Sequence, residues 1–295
     1  MSDQAQTHKD TASRWFEELR NTICAAFEQL EDEQVTGPHA DKPAGRFELR
    51  ETTRGTDGDG GGGLMSVMRN GRLFEKVGVN ISTVHGTLSP MMIKAMAARK
   101  DIPGLEDNPI FWASGVSLVA HMNSPKTPTV HMNTRMFWTP SASWFGGGAD
   151  LTPMVEVPED TEYFHDVLRK ACDKHDPAYY PKFKDWADEY FTIKHWNEPR
   201  GVGGIFYDDL ATGDWDADFA FTQDVGRAFL DAFVPITKKR RDEAWTDADR
   251  EVQLIKRGRY VEFNLVYDRG THFGLQSGHD PSAVLMSMPP VAKWP

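Results

Sequence analysis

Cysteine is nearly missing from this chain: Cys24 and Cys172 are the two among 295 residues, far apart and outside any CxxC or CxxxH spacing. A disulfide framework and a thiolate zinc site are thereby excluded, leaving two reduced, buried thiols as the expectation. No run approaches the ~18–20 apolar residues that a membrane span needs. Positive charge is short too, with 33 Lys and Arg against 44 Asp and Glu and a net charge of −11. That argues against a general binder of nucleic acid or anionic membrane. An anionic ligand would have to be captured by local arginines working against the overall field. GK[ST], HExxH, GxSxG and SxxK are all lacking, and with them the common signatures of phosphate loops, zinc proteases and covalent nucleophiles. The opening MSDQAQTHKD has neither an apolar core nor an Arg-rich amphipathic bias, so neither a signal nor a transit peptide is read and the cytoplasm is the expected location.

What is present describes an ordinary globular chain, 39% hydrophobic and 26% charged. Nine Trp within an 11% aromatic share favour large side chains packed on sheets or against a flat ligand. Residues 1–10 read as disordered, and residues 11–295 as one domain without repeats or linkers. Trp15, Phe16, Leu19, Ile23, Phe27 and Leu30 recur at helical spacing over Ala12–Leu30. Glu31–Arg46 reads as loop. Gly58 and Gly60–Gly63 read as a flexible entry to a strand over Leu64–Met68, with a phosphate cradle as the sharper alternative. Arg69-Asn70-Gly71 is a tight-turn signal. Trp144–Pro153 reads as a Gly-rich turn around one acid. Glu159–Ala171, Tyr180–Trp196 and Phe219–Pro235 read as helices, and Gly201–Phe206 as a strand ending in Asp208-Asp209, of which one faces any given site. Arg259–Tyr267 alternates like a strand, turns at Asp268-Arg269-Gly270 and returns over Thr271–Gln276. Antiparallel strands with helices before and between them make an α+β domain.

The most telling stretch is SLVAHMNSPKTPTVHMNTRMFW, Ser117–Trp138. Both ends alternate with period two around a loop holding two prolines, as a hairpin does. Ser117, Val119 and His121 share one face of the first strand; His131, Asn133, Arg135 and Phe137 share one face of the second. Such a polar strand face needs anionic or hydrogen-bonding company, which a bound ligand supplies. His121, His131, His165 and His195 could ligate a metal if they converged, although no spacing forces it. Asp208 could bind a metal or act as a base. Asp268 beside Arg269 could cap its turn, and Arg200 could reach an anion. Residue logic stops at an enzyme or binding protein for a polyanionic, flat molecule.

Seven ordered blocks carry a resemblance: FEKVGVNISTVHG, GVSLVAHMNSP, HMNTRMF, WFGGGADLTP, DEYFTIKHWNEPRGVGGIFYDDL, GRYVEFNLVYDRGTHFGLQ and LMSMPP. Together the chain resembles the oxygen-dependent coproporphyrinogen III oxidases. The resemblance implies oxidative decarboxylation of two propionates of coproporphyrinogen III to vinyl groups, giving protoporphyrinogen IX in haem biosynthesis. It implies a large antiparallel sheet flanked by helices on both faces and a homodimer whose interface includes the region around Tyr260–Gln276. O2 is the implied co-substrate, with no flavin, haem or nicotinamide. Ser117, Asn133, Thr134 and Arg135 match substrate contacts, with Arg200 as a further forked partner, and His131 matches the proton donor. His121, His131, His165 and His195 match metal ligands of bacterial members, manganese being the suspected cation, and His195 is also linked with dimer formation. Asp268 and Arg269 match the pair that engages pyrrole N–H groups and a propionate.

Two departures stand out. A Gly-Gly-Arg-like substrate contact of the family reads Gly278-His279-Asp280 here, so that contact is expected to be backbone-mediated, displaced or lost. The chain also ends at Trp294-Pro295, shorter than many members. A metal-dependent hydrolase built on the histidines and Asp208, and a non-catalytic tetrapyrrole carrier, are the competing readings.

Overall fold

A helix with its apolar stripe at Phe16, Leu19, Ile23, Phe27 and Leu30 begins the computed structural model, which describes residues 3–55, 60–276 and 278–295. This α1 spans Asp3–Glu33, earlier than its stripe suggests. The expected disorder fails over residues 3–10, because Lys9 lies 3.4 Å from the Trp138 ring centroid and His8 stacks on Trp215 at 3.9 Å. Met1 and Ser2 lie outside the described residues.

Strands β1 (Glu48–Thr53), β2 (Gly60–Arg69) and β3 (Phe74–Thr87) follow, then helix α2 (Pro90–Ala97), β4 (Ile110–Met122), β5 (Thr129–Trp138) and β6 (Ser143–Thr152). Helices α3 (Pro158–Asp173) and α4 (Tyr179–Tyr190) precede a two-stranded ribbon, β7 (Thr192–Ile193) with β8 (Glu198–Pro199), and β9 (Gly203–Leu210). The chain closes with α5 (Trp215–Arg240), α6 (Asp247–Val266), α7 (Arg269–Gln276), α8 (Pro281–Val284) and a 3-10 turn, Leu285–Ser287. The main sheet is antiparallel throughout, in the order β1-β2-β3-β4-β5-β6-β9. Gly60–Gly63 pair with their neighbours inside it, so they are strand and not a phosphate cradle; Gly58 lies outside the described residues. None of the described helices is long and apolar enough to cross a membrane.

The two sheet faces differ in character because side chains alternate. One face presents Val79, Leu118, Met132, Ala149 and Ile205 to α1, α3 and α5, forming the main core. The other presents Ser117, His131, Asn133 and Arg135 and is roofed by α6, α7, α8 and the segment around α2. Helix α4 lies along β9, the sheet edge, with Phe183 against Tyr207 and Tyr190 stacked on Phe206.

Three local readings are corrected. Trp144–Thr152 is not a turn but the buried strand β6. The helix starting near Tyr180 stops at Tyr190, so His195 sits in the β7–β8 turn. Arg259–Tyr267 is not a strand but the second half of α6, started by a Thr246–Asp249 capping box. Its buried stripe includes Gln253, Arg257 and Asn264, which hides the helical period from a hydrophobicity pattern. Those polar groups dock the helix: Gln253 and Arg257 donate to the Met122 carbonyl at 2.9 Å, and Arg257 pairs with Glu75 at 2.7 Å.

One carboxylate ties the first helix to the sheet. Glu31, fully buried, accepts backbone N–H bonds from Gly45 (2.8 Å), Arg72 (2.6 Å), Leu73 (2.9 Å) and Phe74 (2.9 Å). Gly71 is needed beside it, since a Cβ there would stand 2.4 Å from Glu31 Oε1. Glu31→Gln keeps the volume but turns an amide NH2 onto N–H donors. It should cost about 3 kcal/mol of unfolding free energy, read as a lower urea midpoint at unchanged slope; a wild-type midpoint would refute the role given to Glu31.

Candidate active site

The polar face of the sheet forms the floor of a cavity of roughly 670 Å³, within the size range of sites that enclose small-molecule ligands. Strand register sets its centre. His131 stands opposite Val119 and Asp150, Asn133 opposite Ser117 and Gly148, and Arg135 opposite Gly115 and Gly146. The glycines of β6 clear the way for Arg135, because a Cβ at Gly146 would lie 2.9 Å from its guanidinium. Arg135 therefore crosses β6 to pair with Asp208 on β9.

A continuous polar chain results. Arg200 Nη2 donates to both oxygens of Asp150 at 2.7 Å, and Asp150 accepts the Nδ1–H of His131 at 2.7 Å. Arg135 donates to Asn133 Oδ1, which turns the Asn133 amide nitrogen toward His131 Nε2 at 3.1 Å. That network assigns the His131 proton to Nδ1 and makes Nε2 an acceptor. Burial pushes the Asp150 carboxyl up, but the Arg200 charge and the His131 hydrogen bond hold it below the usual carboxylate range. Asp208 follows the same logic: burial raises it, and Arg135, Arg99 and Arg269 bring it down. Asp209 is exposed where Asp208 is buried, and both line the cavity, so the expectation that one of the two faces the site is not met.

Asp268 sits between α6 and α7. Its Oδ2 accepts from Thr271 N (2.7 Å) and Thr271 Oγ1 (2.8 Å), and its Oδ1 accepts from the Tyr190 hydroxyl (2.9 Å). Burial and the Asp268 charge push the Tyr190 phenol well above its usual range, which keeps it a donor. Asp268 is therefore a helix cap that also lines the cavity.

Of the residues expected at the site, Ser117, His131, Asn133, Thr134, Arg135, Arg200, Asp268, Arg269, His279 and Asp280 all line this one cavity. Thr134 does so from a strand position whose side chain belongs to the opposite face, where it is fully buried. Arg200 is committed to Asp150 and to Asn264 (3.0 Å), with Phe191, Tyr260 and Phe263 rings around its guanidinium at 4.3–4.6 Å. Asp280 turns its carboxylate to Arg50 at 2.5 Å and to Ser282 N, and the Arg50 bond lowers its pKa to about 2. Gly278 lies outside the lining, with φ +76.

The four histidines do not come together. His121 is fully buried; burial pushes its pKa down to about 3, and Nε2 donates to the Ser287 carbonyl at 2.8 Å. His165 lies between the Val202 carbonyl (2.9 Å) and the Tyr180 hydroxyl (3.0 Å). His195 is held on the surface by Tyr267 (2.7 Å) and Glu262 (2.8 Å). Only His131 of the four lines the cavity. Among the described residues no group of three or more His, Cys, Asp or Glu is arranged to hold a metal ion. The donor set does not fit the four-histidine ligation that the resemblance implies.

Residue reasoning missed Asp150, Tyr190 and Arg99. Pairing Thr129–Trp138 with the segment after it would have found Asp150, which stands directly across from His131. Arg99, in the charged run Arg99-Lys100-Asp101, carries no sequence signal.

Comparison with known proteins places the chain in a family. The family model described as coproporphyrinogen III oxidase matches residues 11–295. A protein of Rickettsia bellii (strain RML369-C) named oxygen-dependent coproporphyrinogen-III oxidase is 52% identical over 287 residues, covering 97% of this chain and 98% of its own. Relatives of the same name from Rickettsia peacockii (strain Rustic) and Rickettsia conorii (strain ATCC VR-613 / Malish 7) are each 50% identical over the same shares. With an arginine-rich cavity on the polar face of its seven-stranded sheet and matches across nearly its whole length, the chain belongs to the coproporphyrinogen III oxidase family.

Proposed function

We propose that this cavity performs the aerobic oxidative decarboxylation of two propionates of coproporphyrinogen III to vinyl groups, giving protoporphyrinogen IX and CO2. The observation that carries the reading is the cluster of Arg99, Arg135 and Arg269 around the single carboxylate of Asp208, in a cavity that also holds His131 and Asp268. The substrate is a tetracarboxylate, and forked guanidinium groups are its natural partners. Each propionate gives up CO2, one proton and two electrons to become a vinyl group. The electron-rich porphyrinogen passes those electrons to O2, so the protein's task is to bind, orient and move protons.

Arg135 and Arg269 hold propionates. The free edge of Asp268 faces the pyrrole N–H groups and stabilises positive charge as the ring gives up electrons. His131 exchanges the proton at Nε2; Asp150 behind Nδ1 stabilises the imidazolium formed when Nε2 is protonated, and His131 then serves as donor. Arg200 keeps Asp150 ionised for that task. No step is routed through a metal, because His121, His165 and His195 each spend ring nitrogens on protein partners. We place the enzyme in the cytoplasm, as a homodimer. Exposed Leu265, Val266, Leu275, Val291, Trp196 and Trp294 support the dimer, with both indoles donating to Glu262 on one surface.

Coproporphyrinogen supplied anaerobically to metal-analysed, chelated protein should stay intact until O2 is admitted, then yield CO2 and protoporphyrinogen by chromatography. Bound but undecarboxylated substrate would make the protein a carrier; about one metal per subunit, with turnover lost on its removal and regained on its return, would restore a metal mechanism. Asp268→Asn retains the oxygen that caps Thr271 and loses the charge. Decarboxylation should fall at least about a hundredfold at a wild-type melting temperature, whereas a purely capping role predicts near-normal turnover in Asn and instability in Ala. Light scattering at micromolar concentration should give about twice the monomer mass, and Leu265→Glu should halve it; a wild-type monomer would contradict the dimer.

A further inference from the structure

The wall of the cavity around Asp208 holds more cationic charge than its carboxylate can match. Asp208 accepts from Arg99 and from Arg135 and lies 3.3 Å from Arg269 Nη2. One buried acid thus faces three guanidinium groups, whose side chains are 41%, 34% and 37% exposed. All three line the cavity. Arg135 also donates to Asn133, and Arg269 lies 4.7 Å from the Tyr190 ring centroid, so both are braced by the sheet and α4. Arg99 arrives from elsewhere. It follows α2, a helix that buries no residue fully, and it reaches Asp208 from the side of the cavity that Met96 and Ile102 line.

We propose that Arg99 is a third substrate-carboxylate-binding residue, and that Asp208 is the anionic spacer that holds the three forks ready. The inference rests on the coproporphyrinogen reading and deepens it. With Asp208 ionised the cluster carries two uncompensated positive charges, the match for two propionates of a tetracarboxylate. A guanidinium presents five N–H donors, and the bond to Asp208 engages one nitrogen of Arg99. A propionate can therefore bind Arg99 without displacing Asp208, and the carboxylate keeps like charges from repelling one another while the site is empty. Because Arg99 lies outside the strands that carry His131 and Asn133, its contribution is to substrate affinity and not to the proton path.

Steady-state kinetics of wild type, Arg99→Gln and Arg99→Lys test this, with coproporphyrin as a non-reacting competitor. Arg99→Gln should raise KM for coproporphyrinogen and Ki for coproporphyrin about tenfold, leaving kcat within about threefold. Arg99→Lys should fall between, since an ammonium keeps the charge and loses the fork. KM and Ki within about twofold of wild type in Arg99→Gln would overturn the proposal. So would a lowered kcat at unchanged KM, which would make Arg99 a positioning partner of Asp208. If Arg99→Gln melts below wild type, Arg99→Lys decides: a wild-type Ki in a protein of wild-type melting temperature overturns the assignment. Wild-type protein that leaves coproporphyrinogen unchanged in O2 would instead sink the underlying reading.

Discussion

The buried pair of Asp150 and Arg200 is the interaction on which the rest of the site depends. Both side chains are 2% exposed and meet at 2.7 Å. An isolated charge at that depth would be costly, and removing one partner of such a pair typically costs about 3–5 kcal/mol. Together they are tolerable because most of their remaining bonds are also made: His131 donates to Asp150, and Arg200 donates to Asn264 while aromatic rings cover its faces, leaving its buried Nε as the one nitrogen without a partner. The pair links β6 to α6 through the residue that follows β8. It therefore fixes the distance between the floor of the cavity and its roof, and with it the setting of the His131 ring.

That arrangement explains how an otherwise ordinary sheet tolerates one polar face. The apolar face carries the main core against α1, α3 and α5. The polar face has no comparable core at its centre; it is held by Asp150–Arg200, Arg135–Asp208, and the Gln253 and Arg257 contacts to Met122 and Glu75. Buried polar networks of this kind are strong when complete and expensive when broken. A roof attached by hydrogen bonds and ion pairs leaves room for a ligand where a packed apolar roof would fill the space with side chains.

How much of this was legible in the sequence depended on whether side-chain chemistry and period agreed. The Ser117–Trp138 hairpin was legible in full, because alternation put His131, Asn133 and Arg135 on one face and two prolines marked the loop. Helix α6 was not, since Gln253, Arg257 and Asn264 sit on its buried stripe and Val261, Phe263, Leu265 and Tyr267 mimic a strand. Strand β6 was hidden by its glycines, whose purpose is to admit the Arg135 and Tyr207 side chains from neighbouring strands. Residue logic reached a flat polyanion and stopped. The site roles came from resemblance, and there the structure separates what resemblance joined: ten of the expected residues share one cavity, while His121, His165 and His195 lie apart from it.

The remaining tension is between an acidic chain and an anionic substrate. A net charge of −11 repels a tetracarboxylate at long range. At physiological ionic strength, though, exposed charges are screened beyond about 8 Å, so the field of the whole chain is weak at the cavity mouth. Inside, Arg54, Arg99, Lys100, Arg135, Arg200 and Arg269 line the wall against Asp208, Asp209, Asp268 and Asp280. Of those acids Asp280 is spent on Arg50 outside the cluster, and Asp268 is anchored by the α7 cap while still lining the cavity. Discrimination is thus local. The field of the whole chain does not supply attraction for an anion; the positive charge on offer is that of a few forks inside the cavity, left partly unmatched by its carboxylates.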